Sequence, residues 1–543
     1  MPRLVFLAVN ASYSHTSLAA WRLRGTVDPA LWDWSTVETA TADSRDEVLA
    51  RVLALRPDVL AVAFYLFNRE WLTAFLARFR LLAPATCVIG GGPEWLGASS
   101  GFFEPAPLVD CGIRGEGEIA FRQWLAVWDK RDKWSAIPGL VQTVDGRLAD
   151  SGLEAERPES ADIPRVDEVV LKGFDKPFAQ LETSRGCRGA CLYCTSGRGG
   201  GVRYFPLDRV RAELAAIREA GVRDVRVLDR TFNEDDERCL AILALFREQC
   251  PEIRFHLEID PARVSEAMTA ELRRFKPGCL HIEAGVQSLD EEVLRRSGRR
   301  GSPAEILQGL KRLYGVFGLP VHVDLIAGLP GSTLENVKQD LTLLTLLGVD
   351  EIQLELLKLL PGTRMEAMRD SLGMAASPVP PYEVLKTPTF SAEGLWRVAR
   401  LSRVVDGYHN QRDLRALARK ACMMTSDFWS ALTDCVFEQG SIREGLSLRN
   451  RFRIFKRFLS ACCPELIPEL VDAWYRGDHG LDEELAPARM WRGDVPPGAR
   501  LVEGEAGQAD RMVAVEGRPS RYYAFKVEAG GRRRLTAVYE GPA

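Results

Sequence analysis

The chain has 543 residues, with 71 Lys and Arg against 75 Asp and Glu, a net charge of −4. Hydrophobic residues at 46% and charged residues at 27% are an ordinary globular balance for roughly two to four domains. The small net charge argues neither for nor against a polyanionic partner. The longest apolar run, VLAVAFYLF at 59–67, falls far short of the roughly 18 residues that a membrane span needs. MPRLVFLAVN enters a strand-like run directly, without signal-peptide order, so the protein reads as soluble and cytoplasmic, with no membrane partner.

In chain order, 1–132 alternates strands and helices. The strands are RLVFLAVNA, DWSTVETA, DVLAVAFYLF, TCVIGGG and LVDCGIRG, with helices such as SRDEVLARVLALR between them. Continuous apolar strands separated by helices predict an α/β, flavodoxin-like doubly wound sheet. Residues 133–178 read as a hairpin, turning at Asp145-Gly146, and a Pro- and acid-rich linker. From 179 to 373 a second βα series carries six strands, AQLETS, VRDVRVLD, IRFHLEID, CLHIEAGV, VHVDLIAG and EIQLELLK. That is a partial (β/α)6 TIM-like barrel, whose chemistry is expected at the C-terminal strand ends. A Pro-rich linker at 374–389 precedes a mostly helical region at 390–543, with a strand-like tail holding a Gly-Gly turn.

The twelve cysteines are not a secreted disulfide framework. Most sit among apolar residues as small buried side chains. Three do not. In ETSRGCRGACLYCTSG, Cys187, Cys191 and Cys194 follow the first strand of the second series. Zinc is one reading, but it wants a fourth Cys or His, and the nearest histidine is His256. A cuboidal [4Fe–4S] cluster held by three thiolates leaves its fourth iron open to a substrate or cofactor.

This triplet, with Tyr193 before its last cysteine, resembles the radical S-adenosylmethionine (SAM) enzymes. The resemblance implies a cluster on the three cysteines and SAM chelated at the unique iron. It also implies cleavage of SAM to methionine and a 5′-deoxyadenosyl radical, and an electron donor such as flavodoxin or ferredoxin. Later segments continue it: VLDRTFNED (Asp229, Phe232, Asn233), HLEIDPARV (Glu258), IEAGVQSLD (Glu283, Gln287, Ser288), DLIAGLPGST (Gly328, Pro330, Gly331) and LLPGTRM. Each alone is weak, and the acids could be ordinary strand-end polars; their order after the triplet is what carries weight. Ser332 stands where the family often has an acid. Tyr193, Asp229, Asn233, Glu258, Glu283, Gln287 and Gly328 are the implied cofactor contacts.

The first domain resembles the cobalamin-binding domain that precedes one radical SAM subgroup, through AVNASYSHTSLA, VIGGGPEW and IRGEGEIAF. Implied contacts are Asn10 and Ser12, then Leu66, Phe67 and Arg69, then Gly90, Gly91 and Gly92, then Glu116. The Asp-x-His-x-x-Gly motif of many cobalamin domains is absent, and His15 reads as a solvent or helix-cap residue rather than a cobalt ligand. Leu66, Phe67 and Arg69 are expected to keep the lower corrin face unligated, since a protonated guanidinium has no lone pair to give; Arg69 as a helix-start surface residue is the alternative.

In LRNRFRIFKRF, Phe452, Phe455 and Phe458 recur every three residues, which predicts a buried aromatic stripe under a basic face rather than a nucleic-acid surface. His409 in DGYHNQRDL is expected to be structural. The leading expectation is a cobalamin-dependent radical SAM methyltransferase acting on an unactivated carbon of a small-molecule or peptide substrate. A radical cyclase or rearrangement enzyme is one alternative. An RNA-modifying or regulatory protein with an empty cobalamin-like domain is another, against which the weak basic patterning counts.

Overall fold

Strand β1 (Arg3–Asn10) is buried over nearly its whole length because it lies inside a parallel sheet. Val5, Leu7 and Val9 enter one hydrophobic layer and Leu4, Phe6 and Ala8 the other, the period-two alternation of a strand covered on both faces. Strands β2 (Asp33–Ala40), β3 (Val59–Ala63), β4 (Cys87–Gly91) and β5 (Cys111–Ile113) complete the order β2-β1-β3-β4-β5. This is the flavodoxin-like order expected from the sequence. The helix Arg69–Leu82 covers one layer with Trp71, Phe75 and Phe79, spaced one turn apart, their rings stacked at 5.5 and 6.0 Å. The structure is a computed structural model that describes all residues except 98–103, 105, 151, 168–170, 172–173, 198–200, 439–445, 492–494, 506–508, 510, 517–518, 529–532 and 542–543.

The Asp145-Gly146 hairpin is present as β6 (Leu140–Val144) and β7 (Arg147–Asp150), with both turn residues left-handed at φ 50° and 75°. It is more than a connector. β6 pairs antiparallel with β5, so the N-terminal sheet has seven strands.

The second sheet contains all six expected strands: β8 (Ala179–Leu181), β11 (Asp224–Val227), β12 (Arg254–Ile259), β13 (Leu280–Gln287), β14 (Val321–Ala327) and β15 (Glu351–Leu356). Their order is β15-β14-β13-β12-β11-β8. A short antiparallel pair, β9 (Ser184–Gly186) and β10 (Val202–Tyr204), brackets the cysteine loop. The Pro-rich stretch after the barrel is not a bare linker. It holds the pair β16 (Ala375–Ala376) and β17 (Val384–Lys386) and buries Tyr382 completely.

The chain divides into two compact units, Met1–Asn336 with Glu355–Leu395, and Val337–Leu354 with Trp396–Ala543. The second contains the helices Arg412–Met424, Phe428–Phe437, Leu448–Cys462 and Ile467–Arg476. Phe452, Phe455 and Phe458 are buried, while Arg453 pairs with Asp482 at 3.0 Å and Lys456 donates to the Glu484 and Leu485 carbonyls. The basic face is engaged within the fold. His409 is fully buried and burial lowers its pKa to about 4, so the neutral ring donates from Nε2 to the Val349 carbonyl at 3.0 Å. The tail forms an antiparallel sheet of Ala488–Trp491, Arg511–Val515, Arg521–Val527, Arg533–Glu540 and Arg500–Gly504; its Gly-Gly turn lies outside the described residues. All twelve cysteines are free thiols.

Candidate functional site

Cys187, Cys191 and Cys194 line one cavity of about 180 Å³ at the C-terminal ends of the second sheet. The loop turns its own amides toward sulfur: Gly189 N–H donates to Cys187 Sγ at 3.2 Å and Ser196 N–H to Cys194 Sγ at 3.4 Å. A Cβ at Gly189 would stand 3.1 Å from Cys187 Sγ, a tight contact that the sulfur would have to yield to. No group of three Cys, His, Asp or Glu side chains among the described residues is placed to hold a single metal ion. Three cysteine sulfurs on one cavity suit a multinuclear cluster better than one zinc ion.

Glu258 on β12, Glu283 on β13 and Asp324 on β14 line the same cavity. His256, His281 and His322 stand two residues before them on the same strands, His256 in register with His281 and Glu283 with His322. His256 Nε2 meets Glu283 at 2.8 Å, and that hydrogen bond holds the Glu283 carboxyl below its usual range. Burial, then the charges of Glu283 and Glu258, push Asp324 up to about 8, so near neutrality it carries a proton shared with Glu283. Burial also raises Glu258. His281 stacks on His256 at 4.7 Å and burial lowers it to about 4, leaving a neutral ring. Gln287 is left-handed at φ 68°, beside a register shift after Gly285, and its buried Oε1 has no hydrogen-bond partner. A left-handed residue with an unpaired buried acceptor thus stands in the cavity wall.

Of the seven expected cofactor contacts, Tyr193, Glu258, Glu283 and Gln287 line this cavity, and the other three do not. Asp229 is 2% exposed and accepts four hydrogen bonds, from the Thr183 and Ser184 amides at 2.7 and 3.1 Å and from their hydroxyls at 2.5 and 2.6 Å. It anchors the strand that leads into the cysteine loop. Asn233 exchanges two 2.9 Å hydrogen bonds with the Asp260 backbone and ties two strand ends together. Gly328, at φ 91°, turns its loop against Leu395 and Leu357.

A larger cavity of about 630 Å³ opens at the C-terminal edge of the N-terminal sheet, where open α/β sheets bind ligands. Of the residues implied as corrinoid contacts, Asn10, Phe67, Gly90, Gly91, Gly92 and Glu116 line it, and Ser12, Leu66 and Arg69 do not. Arg69 is held 3.5 Å from Glu94 and bonds the Tyr382 hydroxyl, so its guanidinium faces protein. Tyr65, stacked on Phe67 at 5.3 Å, lines the cavity in the region assigned to Leu66 and Arg69. Ser12 bonds His15 Nδ1 at 2.9 Å, and it is His15 that lines the cavity, its pKa lowered by burial. The three glycines differ. A Cβ on Gly90 would meet Trp95 at 2.5 Å and one on Gly92, at φ 95°, would meet the Phe64 carbonyl at 2.5 Å. A Cβ on Gly91 would meet nothing within 4 Å, so this glycine alone keeps room for something other than the protein.

An ion network missed by the sequence reading joins the two regions. Arg185, two residues before Cys187, reaches Glu182 at 2.9 Å, Glu116 at 3.1 Å and Glu118 at 2.6 Å. Arg22 reaches Glu182 and Glu213, each at 3.2 Å. Asp324 and the three histidines were also missed. Their signal was present as polar residues at every second position of otherwise apolar strands.

Residues 181–344 match the Radical SAM superfamily. The chain carries a radical SAM domain. Residues 370–473, beyond that domain, match a family of unknown function, DUF4080. An uncharacterized methyltransferase, PH0819, of Pyrococcus horikoshii is 26% identical over 292 residues, 51% of this chain and 62% of that one. The cobalamin-dependent radical SAM methyltransferase TokK of Streptomyces tokunonensis is 28% identical over 307 residues, 52% of this chain and 44% of that one. The chain thus spans less than two thirds of these relatives. Among solved structures, the cobalamin-dependent SAM radical enzyme OxsB, with aqua-cobalamin and SAM bound, superposes with a TM-score of 0.64. It covers 89% of this chain and 83% of its own at 14% identity, a likeness of fold around the radical SAM domain.

Proposed function

We propose that the chain is a cobalamin-dependent radical SAM methyltransferase acting on an unactivated carbon of a small-molecule or peptide substrate. The observation that carries this reading is a pair of cavities in one compact unit, one lined by the three cysteines and one by the glycine edge of a flavodoxin-like sheet. The residues present suit the groups. Cys187, Cys191 and Cys194 would hold a [4Fe–4S] cluster, with backbone donors for two of the thiolates. Gln287 offers an unpaired acceptor, and Glu258 and Glu283 offer carboxyls, to SAM. Asn10, Phe67, Gly91 and Glu116 would border a corrinoid. When bound, cluster and SAM supply a substrate radical and the corrinoid supplies the methyl group. The chain's own part is to fix the cofactors relative to one another and to exclude water and oxygen. Asp229 and the Arg185 network hold the cysteine loop against the N-terminal sheet for that purpose. An electron donor such as flavodoxin or ferredoxin would serve the cluster.

Anaerobic purification and reconstitution test the proposal. The expected result is iron–sulfur absorbance with about one corrinoid per chain. In Cys187→Ala, Cys191→Ala or Cys194→Ala, SAM cleavage disappears while corrinoid binding persists. Absence of corrinoid after reconstitution, or full SAM cleavage in any one of these variants, would overturn it.

A further inference from the structure

Two cavities with different linings meet at a single side chain. Among the described residues, Arg230 alone lines both the cysteine cavity and the large cavity. It follows Asp229, whose four hydrogen bonds fix the backbone there. Its charge acts on Glu258 on the cysteine side and on Tyr65 on the other. Three arginines line the large cavity. Arg22 and Arg185 are engaged with Glu182, Glu213, Glu116 and Glu118. The Arg230 side chain is exposed and makes no hydrogen bond or ion pair among the described residues. A guanidinium always carries its charge and presents a planar fork suited to an oxyanion.

We infer that Arg230 anchors a carboxylate of the substrate where the two cavities meet. This rests on the proposed function, because a substrate attacked from one cavity and methylated from the other must lie at their junction. A carboxylate fits better than a phosphate. One fork matches a monoanion, and Glu258 and Glu283 stand nearby to repel a second negative charge. Binding there would hold the acidic end of the substrate at Arg230 and leave its carbon skeleton along the apolar part of the large cavity, lined by Ala61, Ile89, Ile113 and Phe121.

The test uses the full chain and hexanoate as the probe, with hexanamide as its uncharged counterpart and inorganic phosphate as the competing anion. Titrations followed by saturation-transfer NMR should show hexanoate bound more tightly than hexanamide or phosphate. Arg230→Gln should weaken hexanoate at least about tenfold, with partial recovery in Arg230→Lys, and leave SAM affinity, corrinoid retention and melting temperature unchanged. Equal hexanoate binding by the parent chain and Arg230→Gln would overturn the inference. So would tighter binding of phosphate, or loss of SAM affinity in Arg230→Gln, which would give the guanidinium to the SAM carboxylate instead. Failure of the wild-type chain to take up corrinoid would instead sink the proposed function, and the Arg230 dependence of hexanoate binding would still be read.

Discussion

Asp229 resembles a cofactor contact in the sequence, yet in the structure all of its hydrogen-bonding capacity goes to Thr183 and Ser184. Burial raises its pKa, and the four donors oppose that shift. Asp229→Asn would set an amide N–H₂ against those donors and is expected to cost at least about 2 kcal/mol of stability. SAM affinity of the folded variant should stay within about twofold; denaturant unfolding and SAM titration read the two effects separately. Asp324 makes a different prediction. Its folded pKa of about 8 lies above the roughly 3.9 of an unfolded Asp, so the folded state holds a proton the unfolded chain has released. Its stabilisation is complete below the unfolded pKa and is lost as pH rises through about 8. The melting temperature of wild type should therefore fall more steeply between about pH 4 and 8 than that of Asp324→Asn. Parallel melting curves across that range would refute the assignment. Arg69 shows the limit of reading single residues: its place in the sequence was legible, but its partners Glu94 and Tyr382 are 25 and 313 residues away.

At the scale of elements, strand β4 and its loop distinguish three glycines that look alike in VIGGGPEW. Gly92→Ala would force a left-handed alanine against the Phe64 carbonyl, an expected loss of about 1–3 kcal/mol. Gly91→Ala meets no protein atom and should leave the melting temperature unchanged while lowering corrinoid retention. The opposite pattern in thermal melts and corrinoid assays would show that Gly91 serves packing. Strands were the most legible elements, because apolar runs such as RLVFLAVN and alternations such as VHVDLIA set period and burial together. The hairpin was legible too, from Asp145-Gly146, but not its docking on β5, since edge pairing depends on where the sheet ends. The Pro-rich stretch read as a linker because composition signals a break and says nothing of the cover Tyr382 finds.

At the scale of the molecule, the sheet order and the cysteine cavity followed from local pattern, while the ion network and the shared position of Arg230 needed residues distant in sequence to be brought together. The second unit contributes a buried aromatic helix and a neutral buried histidine, both signs of an ordinary core. Among the described residues no helix is long and apolar enough to cross a membrane. On the proposed function, SAM bound beside the three cysteines would give its methyl group to a corrinoid held in the larger cavity of the same chain. Methyl-labelled SAM, added anaerobically to the reconstituted, reduced protein without any substrate, tests it most directly. The account predicts that label passes into the corrinoid fraction. Label confined to SAM and methionine, with corrinoid bound and the cluster intact, would contradict it.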